Sequence, residues 1–267
     1  MTNLAGKTAI VTGGAGGMGR GHALRLAQLG ADVAIFDIDL HAAKRYGEEL
    51  TAEGVEQELT NLGVRALSVE ADLSDARSAS DAVQQVIDRF GKLDIVVNNA
   101  GGAITPIDNS TPSLSSPEDT ESLFRVNFLT TINMCQAAAR HFGPDGGAIV
   151  NIVTIGAEVQ DATGRYAMYG AAKAAVLKYS RALAVELGPL GVRVNCISPG
   201  LIETHRIRAL SAQRNLATTE QAASIPLRRL GQVGDVVDAM EFLVSEKSSY
   251  VTGECIRVAG GLGLIAA

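Results

Sequence analysis

Five residues in the middle of this 267-residue chain could move a proton together: Tyr169-Gly170-Ala171-Ala172-Lys173. They open an apolar, alanine-rich run, Ala167 to Leu187, whose composition and period predict one long helix. Residues four apart share a helix face, so the Tyr169 phenol and the Lys173 ammonium would project into the same space. A free tyrosine, with a pKa of about 10, is a poor base at neutral pH. A nearby ammonium favours the phenolate and lowers that value, and a phenol tuned this way can exchange a proton with a substrate oxygen. Alone the pair specifies little, because Tyr and Lys four apart occur in many helices. In the same register Tyr166 meets Gly170 and Tyr179 meets Leu183, so only Tyr169 of the three has a lysine four residues on.

Elements elsewhere must bring such a pair to a substrate, and the first of them begins near the N-terminus. Thr8 to Thr12 is an apolar strand, followed at once by Gly13, Gly14, Gly16, Gly17 and Gly19 and then by a helical pattern that Gly30 ends. Strand, glycine loop and helix in that order make a place for a pyrophosphate. Glycine permits the tight turn and the close approach, and the helix N-terminus offers free amides and a positive dipole. The next strand, Asp32 to Phe36, ends at Asp37, 18 residues after Gly19, near the ~20 expected of an acid that binds an adenosine ribose. A carboxylate there accepts from both ribose hydroxyls and repels a 2′-phosphate, and positions 14 to 18 contain no Lys or Arg to offset it. NAD is therefore expected rather than NADP, with Arg45, placed on a helix face, the one complication.

The remaining chain alternates in the same way. His41 to Leu62 is helical in pattern with Gly54 inside it, as one interrupted helix or two short ones. A strand from Arg65 runs to Asp72-Leu73, and Ser74 or Asp75 can cap the helix that ends near Phe90-Gly91. Leu93 to Val97 is a strand closed by Asn98-Asn99-Ala100-Gly101. Glu118 to Phe142 forms a long helix containing Asn127, Ala148 to Val153 a buried strand, and Gly191 to Ile197 a sixth strand before Ser198-Pro199-Gly200. Gly234 to Ser245 is a helix and Glu254 to Val258 the last strand. Such alternation implies an α/β fold, a parallel sheet wrapped by helices on both faces, in a single domain over residues 1–267. Ligands in such sheets bind beyond the strand C-termini, where Gly13, Asp37, Asp72 and Asn99 all fall. The stretches 102–117, 154–165 and 201–225 are expected as substrate loops, the last a candidate lid.

Composition excludes several functions. With a net charge of −6 there is no electrostatic case for nucleic acid or an anionic membrane. No apolar run approaches the ~20 residues of a membrane span. Met1 to Lys7 lacks the apolar core of a signal peptide, so a cytoplasmic location is expected. Cys135, Cys196 and Cys255 form no ligand pair and are expected as reduced thiols. His22, His41, His141 and His205 show no metal-site spacing, and only His205 falls in an expected active-site loop.

Thr12-Gly13-x-x-x-Gly17-x-Gly19, Asp72-Leu73, Asn98-Asn99-Ala100-Gly101, Asn127, Tyr169-x-x-x-Lys173 and Pro199-Gly200 occur in one order. This ordered set, from about Gly6 to Gly261, resembles the short-chain dehydrogenase/reductase family in its compact branch. The resemblance implies a Rossmann-type sheet of about seven strands and nicotinamide-dependent alcohol oxidation or ketone reduction. It implies Tyr169 as general acid/base. Lys173 would lower its pKa and hold the nicotinamide ribose, and Asn127 would keep a water in place. Gly13, Gly17, Met18 and Gly19 would cradle the cofactor. Asp72 would bind the adenine amino group with Leu73 beside the ring. Asn99 would lie near the cofactor ribose, with Ala100 and Gly101 admitting the cofactor close to the backbone. Pro199 and Gly200 would border the nicotinamide, and Ile202 and Thr204 would hold its carboxamide. Packing of the Asn127 and Tyr169 helices in dimers and tetramers is implied too. The apolar tail Leu262 to Ala267 is expected to be buried, against another subunit.

Two positions depart from the family pattern. Its usual serine at the end of the fifth strand has no counterpart, since no serine falls between Ser122 and Ser180. Counting from Asn151-Ile152 gives Thr154, whose hydroxyl can donate the same hydrogen bond but whose β-branch restricts rotation. The stretch from Asp37 to Asp72 is also long for this branch, and should extend the adenine side. Two rival readings stay open: an inactive NAD-binding regulatory protein, and an isomerase or dehydratase with resident NAD. The substrate is not specified; Arg206 and Arg208 on the lid could meet an acidic one.

Overall fold

A computed structural model describes residues 2–160, 162–214 and 218–264. Seven strands form one sheet: β1 (Thr8–Thr12), β2 (Asp32–Asp37), β3 (Ala66–Glu70), β4 (Ile95–Asn98), β5 (Gly147–Ile152), β6 (Val192–Pro199) and β9 (Cys255–Val258). Their spatial order is β3-β2-β1-β4-β5-β6-β9, and every pairing is parallel. A separate two-stranded pair joins β7 (Ile202–Glu203) to β8 (Gly231–Gln232).

Helices cover both faces, and the alternation of strand side chains decides which helix meets which residue. On one face Ala9, Val11, Val33, Ile35, Val97 and Val150 pack under α1 (Gly17–Gln28), α3 (Val55–Asn61) and α10 (Val233–Val244). On the other, Ile10, Ala34, Phe36, Val96, Ile149 and Val194 pack under α4 (Ala76–Phe90), α6 (Thr130–Ala139) and α7 (Ala167–Leu187). Both faces being buried is why the strands read as unbroken apolar runs. This is the doubly wound, Rossmann-type arrangement that the sequence predicts. Order reverses between β1 and β4, so the crevice beyond their C-termini is the natural ligand site.

Local signals explain the ends of elements. Asp75 caps α4 by accepting from Ser78 N, and Gly91 closes it in the left-handed conformation. The stretch 41–62 resolves into two short helices, α2 (Ala42–Arg45) and α3. β3 stops at Glu70, short of Asp72-Leu73, because its neighbour β2 ends at Asp37, the partner of Glu70. The helix expected from Glu118 to Phe142 is α5 (Pro117–Phe124), a π-turn (Arg125–Leu129) and α6. It ends at Ala139, where the sequence turns toward Gly143-Pro144, which cannot continue a helix. The expected lid, Leu201 to Ser224, is largely structured as β7, α8 (His205–Arg214) and α9 (Thr219–Ser224).

Candidate active site

Helix α7 brings the chemistry to the C-terminal end of β5. It starts at Ala167, with Tyr166 as a left-handed N-cap (φ 59°) tied by its amide to Ser110 Oγ at 3.1 Å. Gly170 lets the helix approach the turn after β5: a Cβ there would lie 2.5 Å from the Gly156 carbonyl oxygen. That approach puts the Tyr169 phenol in hydrogen-bonding contact with the Thr154 hydroxyl. Thr154 also caps its own turn, accepting from Gly156 N at 3.4 Å. Burial pushes the phenol up to about 12, while the Thr154 hydrogen bond and the Arg206 charge act in the opposite sense.

Lys173 is not among the groups that lower this value. The Lys173 ammonium is 2% exposed and donates to the Ile152 carbonyl at 2.8 Å. Burial pulls Lys173 itself down to about 8. Its other neighbours are Gly101 and Asn127. Gly101 adopts φ +135°, and a Cβ there would stand 2.5 Å from Asn127 Oδ1 and 3.3 Å from Lys173 Nζ. Asn127, fully buried in the π-turn, accepts from Gly102 N at 2.8 Å and donates to Gly102 O at 3.0 Å and Leu123 O at 2.9 Å. The extra residue of a π-turn re-aims one side chain within a helix. Here it turns Asn127 onto the chain leaving β4.

Glycine-loop residues lie next to β4 and the lid. Gly13 (φ +62°) and Gly17 (φ +55°) take conformations suited to glycine, and a Cβ on Gly13 would be 3.0 Å from Ala100 Cα. A Cβ on Gly19 would collide with the Gly13 carbonyl. Asn99 Nδ2 donates to Thr12 O and Gly13 O at 3.1 and 3.2 Å, and its Oδ1 is buried without a hydrogen-bond partner. Asp37 reaches the loop, accepting from Ala15 N at 3.1 Å, and burial raises its carboxyl above the ordinary value. Thr204 caps α8 by accepting from Ile207 N at 3.2 Å, and its methyl would lie 3.9 Å from a Cβ on Gly17. Gly200 N bonds Val258 O at 3.0 Å, and Ile202 is buried in β7.

Other sequence-predicted residues fall farther out. Asp72 is half-exposed, held by the Ser74 amide and hydroxyl at 2.9 and 2.6 Å, with Arg125 at 3.6 Å. Leu73 is 4% exposed and packs into the apolar layer under α4. Met18 packs partly buried against the α1 layer. In the tail Leu264 is 73% exposed, and Ile265 to Ala267 lie outside the described residues.

Sequence reasoning missed Gly170, Glu48 and the position of Arg206. A lone glycine in an alanine-rich helix could have signalled the first. Glu48 and Arg206 carry no sequence signal, since each meets its neighbours only through the fold. The Arg206 guanidinium lies 5.8 Å over the Tyr46 ring and 3.3 Å from where a Gly102 Cβ would be. Among the described residues, no helix is long and apolar enough to cross a membrane.

Comparison with known proteins agrees with this geometry. A family pattern described as enoyl-(acyl carrier protein) reductase matches residues 13–263. A cyclohexanol dehydrogenase from Rhodococcus sp. (strain TK6) is 41% identical over 266 residues, 97% of each chain. A short-chain type dehydrogenase/reductase from Mycobacterium marinum superposes with a TM-score of 0.86 at 28% identity, covering 98% of each chain. A carveol dehydrogenase from Mycobacterium avium, solved in complex with NAD, superposes with a TM-score of 0.84 at 28% identity, over 99% of this chain and 100% of that one. The glycine loop, the Asn127 turn and the Tyr169–Lys173 helix thus stand on a scaffold shared over nearly its whole length, and the chain belongs to the short-chain dehydrogenase/reductase family of oxidoreductases.

Proposed function

We propose that this protein is an NAD-dependent oxidoreductase, acting as a single domain, that interconverts a secondary alcohol and a ketone with Tyr169 as general acid/base. The observation that carries it is the contact between the Tyr169 phenol and the Thr154 hydroxyl, just beyond the C-terminal end of β5. Two hydroxyl groups aimed at one point can hold one substrate oxygen and exchange its proton.

The residues present fit a dinucleotide. Gly13 and Gly17 keep the loop free of side chains. Helix geometry leaves the Met18 and Gly19 amides without an intrahelical acceptor, suited to a pyrophosphate. Asp37 would take the adenosine ribose and the unpartnered Asn99 Oδ1 would accept from the second ribose. The carveol dehydrogenase neighbour, bound to NAD, supports this choice. When bound, the oxidised nicotinamide accepts a hydride from the alcohol carbon and the reduced form returns it.

The chain's own residues do the rest. Thr154 donates a hydrogen bond to the substrate oxygen and holds it beside Tyr169. Tyr169 removes the hydroxyl proton in oxidation and returns it in reduction. Lys173, buried against the Ile152 carbonyl, would hold the nicotinamide ribose. Asn127 holds the backbone of Gly102 and thereby the wall of the cleft. Ile202 and Thr204 close the cleft from the lid side.

Cyclic secondary alcohols are the first substrates to test, because relatives include a cyclohexanol dehydrogenase and a carveol dehydrogenase. The experiment follows NADH absorbance with cyclohexanol, carveol and a wider alcohol and ketone panel, in wild type and Tyr169→Phe. The variant should lose at least ~10²-fold in kcat, the typical contribution of a general acid/base, while still binding NADH. Normal turnover by the variant would refute the assignment. Assembly as a dimer or tetramer is part of the same proposal; a monomeric mass by light scattering would remove it.

A further inference from the structure

Between β2 and α3 the chain makes an excursion, residues 38–54, to which the reaction above gives no task. Its far end returns onto the glycine loop. Glu48 accepts from Gly17 N at 2.8 Å and from Arg20 Nη1 at 2.8 Å, with 9% of its side chain exposed. Asp37 accepts from Ala15 N, two residues earlier on the same loop. Between them lies Gly16, where a Cβ would be 3.3 Å from the Glu48 carboxylate. Two carboxylates therefore flank three consecutive loop residues.

Two arginines beside the excursion, Arg20 and Arg45, are both paired. Arg20 gives Nε and Nη2 to Glu58 at 2.7 Å each and Nη1 to Glu48. Glu58 is fixed in turn by the Thr51 amide and hydroxyl at 2.6 and 2.7 Å. Arg45, largely exposed, pairs with Asp39 at 2.7 Å. Both guanidiniums therefore already have carboxylate partners.

A dinucleotide whose adenosine ribose is held at Asp37 presents its 2′-oxygen to this rim. A phosphate on that oxygen carries about −1.5 to −2 charges near neutral pH. It would meet two carboxylates anchored on backbone amides, with Arg20 and Arg45 each already paired to a carboxylate. Like-charge juxtaposition of this kind is how a site rejects a near-identical partner. We propose that Glu48 is a second specificity-determining residue, acting with Asp37 to exclude dinucleotides phosphorylated on the adenosine ribose. The proposal rests on the NAD reading above. Its consequence is that removing the Asp37 carboxylate does not convert the site. The Glu48 charge must be removed as well, and Arg20 Nη1, no longer paired with a carboxylate at that position, then faces the phosphate.

The test is binding, by fluorescence titration of NADH and NADPH into purified wild type, Asp37→Ser, Glu48→Gln and the double variant. Glutamine keeps an acceptor for Gly17 N and Arg20 and removes only the charge. Asp37→Ser alone should improve the NADPH Kd by less than ~10-fold, and the double variant by ~100-fold or more over wild type, about 2.7 kcal/mol. NADPH binding to Asp37→Ser as tight as to the double variant overturns the proposal. Equal NADH and NADPH affinities in wild type overturn the NAD reading instead. If the double variant does not fold, Glu48→Gln in the wild-type background decides, since an unchanged NADPH Kd there overturns the proposal. Asp37→Ser/Glu48→Asp, which keeps the charge, should bind NADPH no better than Asp37→Ser, and improved binding in it overturns the proposal too.

Discussion

Replacing Gly101 by alanine tests the packing that joins Asn127, Lys173 and the chain after β4. The new Cβ would begin 2.5 Å from Asn127 Oδ1 and 3.3 Å from both Asn127 Cγ and Lys173 Nζ. Asn127 is fully buried, so its amide cannot swing into solvent to relieve the contact. A side chain at φ +135° costs about 1–3 kcal/mol in backbone strain. Displacing the amide breaks at least one of its bonds to Gly102 or Leu123 and leaves a buried group unsatisfied, about 1–3 kcal/mol more. The expected loss of stability is therefore about 2–6 kcal/mol, or roughly 4–24 °C in Tm for a chain of this size. Turnover should fall by ~10²-fold in the surviving folded protein, because Lys173 and the cleft wall are pushed out of place. Gly63 supplies the control: it too has a positive φ, +87°, with nothing within 4 Å of a Cβ, so Gly63→Ala should cost only about 1–2 kcal/mol, the strain without the collision. Circular-dichroism melting and NADH absorbance read both effects. A Gly101→Ala protein that melts with Gly63→Ala and turns over like wild type would refute the reasoning.

Thr154→Ala should lower kcat by ~10²-fold if its hydroxyl holds the substrate oxygen, and Thr154→Ser should restore most of it; equal rates in wild type and Thr154→Ala remove Thr154 from the mechanism. Lys173 gives a pH prediction. Its folded pKa, about 8, lies below the unfolded value of 10.5, so the unfolded chain binds the proton more strongly and stability rises with pH through this range. From pH 7.5 to 9 wild type should gain about 1 kcal/mol relative to Lys173→Met, which lacks the titration; parallel denaturant-derived stabilities across that window would contradict it.

How much of this was legible beforehand differs by element. The long helix reads directly from its alanine-rich period, and the structure gives it the expected bounds, Ala167–Leu187. The sheet reads from apolar runs bounded by glycine and polar residues, because strands buried on both faces leave no polar side to obscure the signal. Asn127 was singled out in the sequence as a candidate, whereas the π-turn that holds it was not legible, since one extra residue in a helix leaves the surrounding period intact. Spacing places Lys173 on the same face as Tyr169, whereas its acceptor, the Ile152 carbonyl, is supplied by a strand no local pattern links to it.

The sequence by itself determined the order of elements, the glycine loop, the acid at the end of β2 and the Tyr169–Lys173 register. All of these are set by backbone preferences and side-chain spacing within a few residues. Tertiary structure alone decided that Thr154 meets Tyr169, that Gly170 makes room for that meeting, and that Glu48 returns to the loop beside Asp37. Those contacts join residues 14 to 31 positions apart, and only the packed sheet and its crossing helices bring them together.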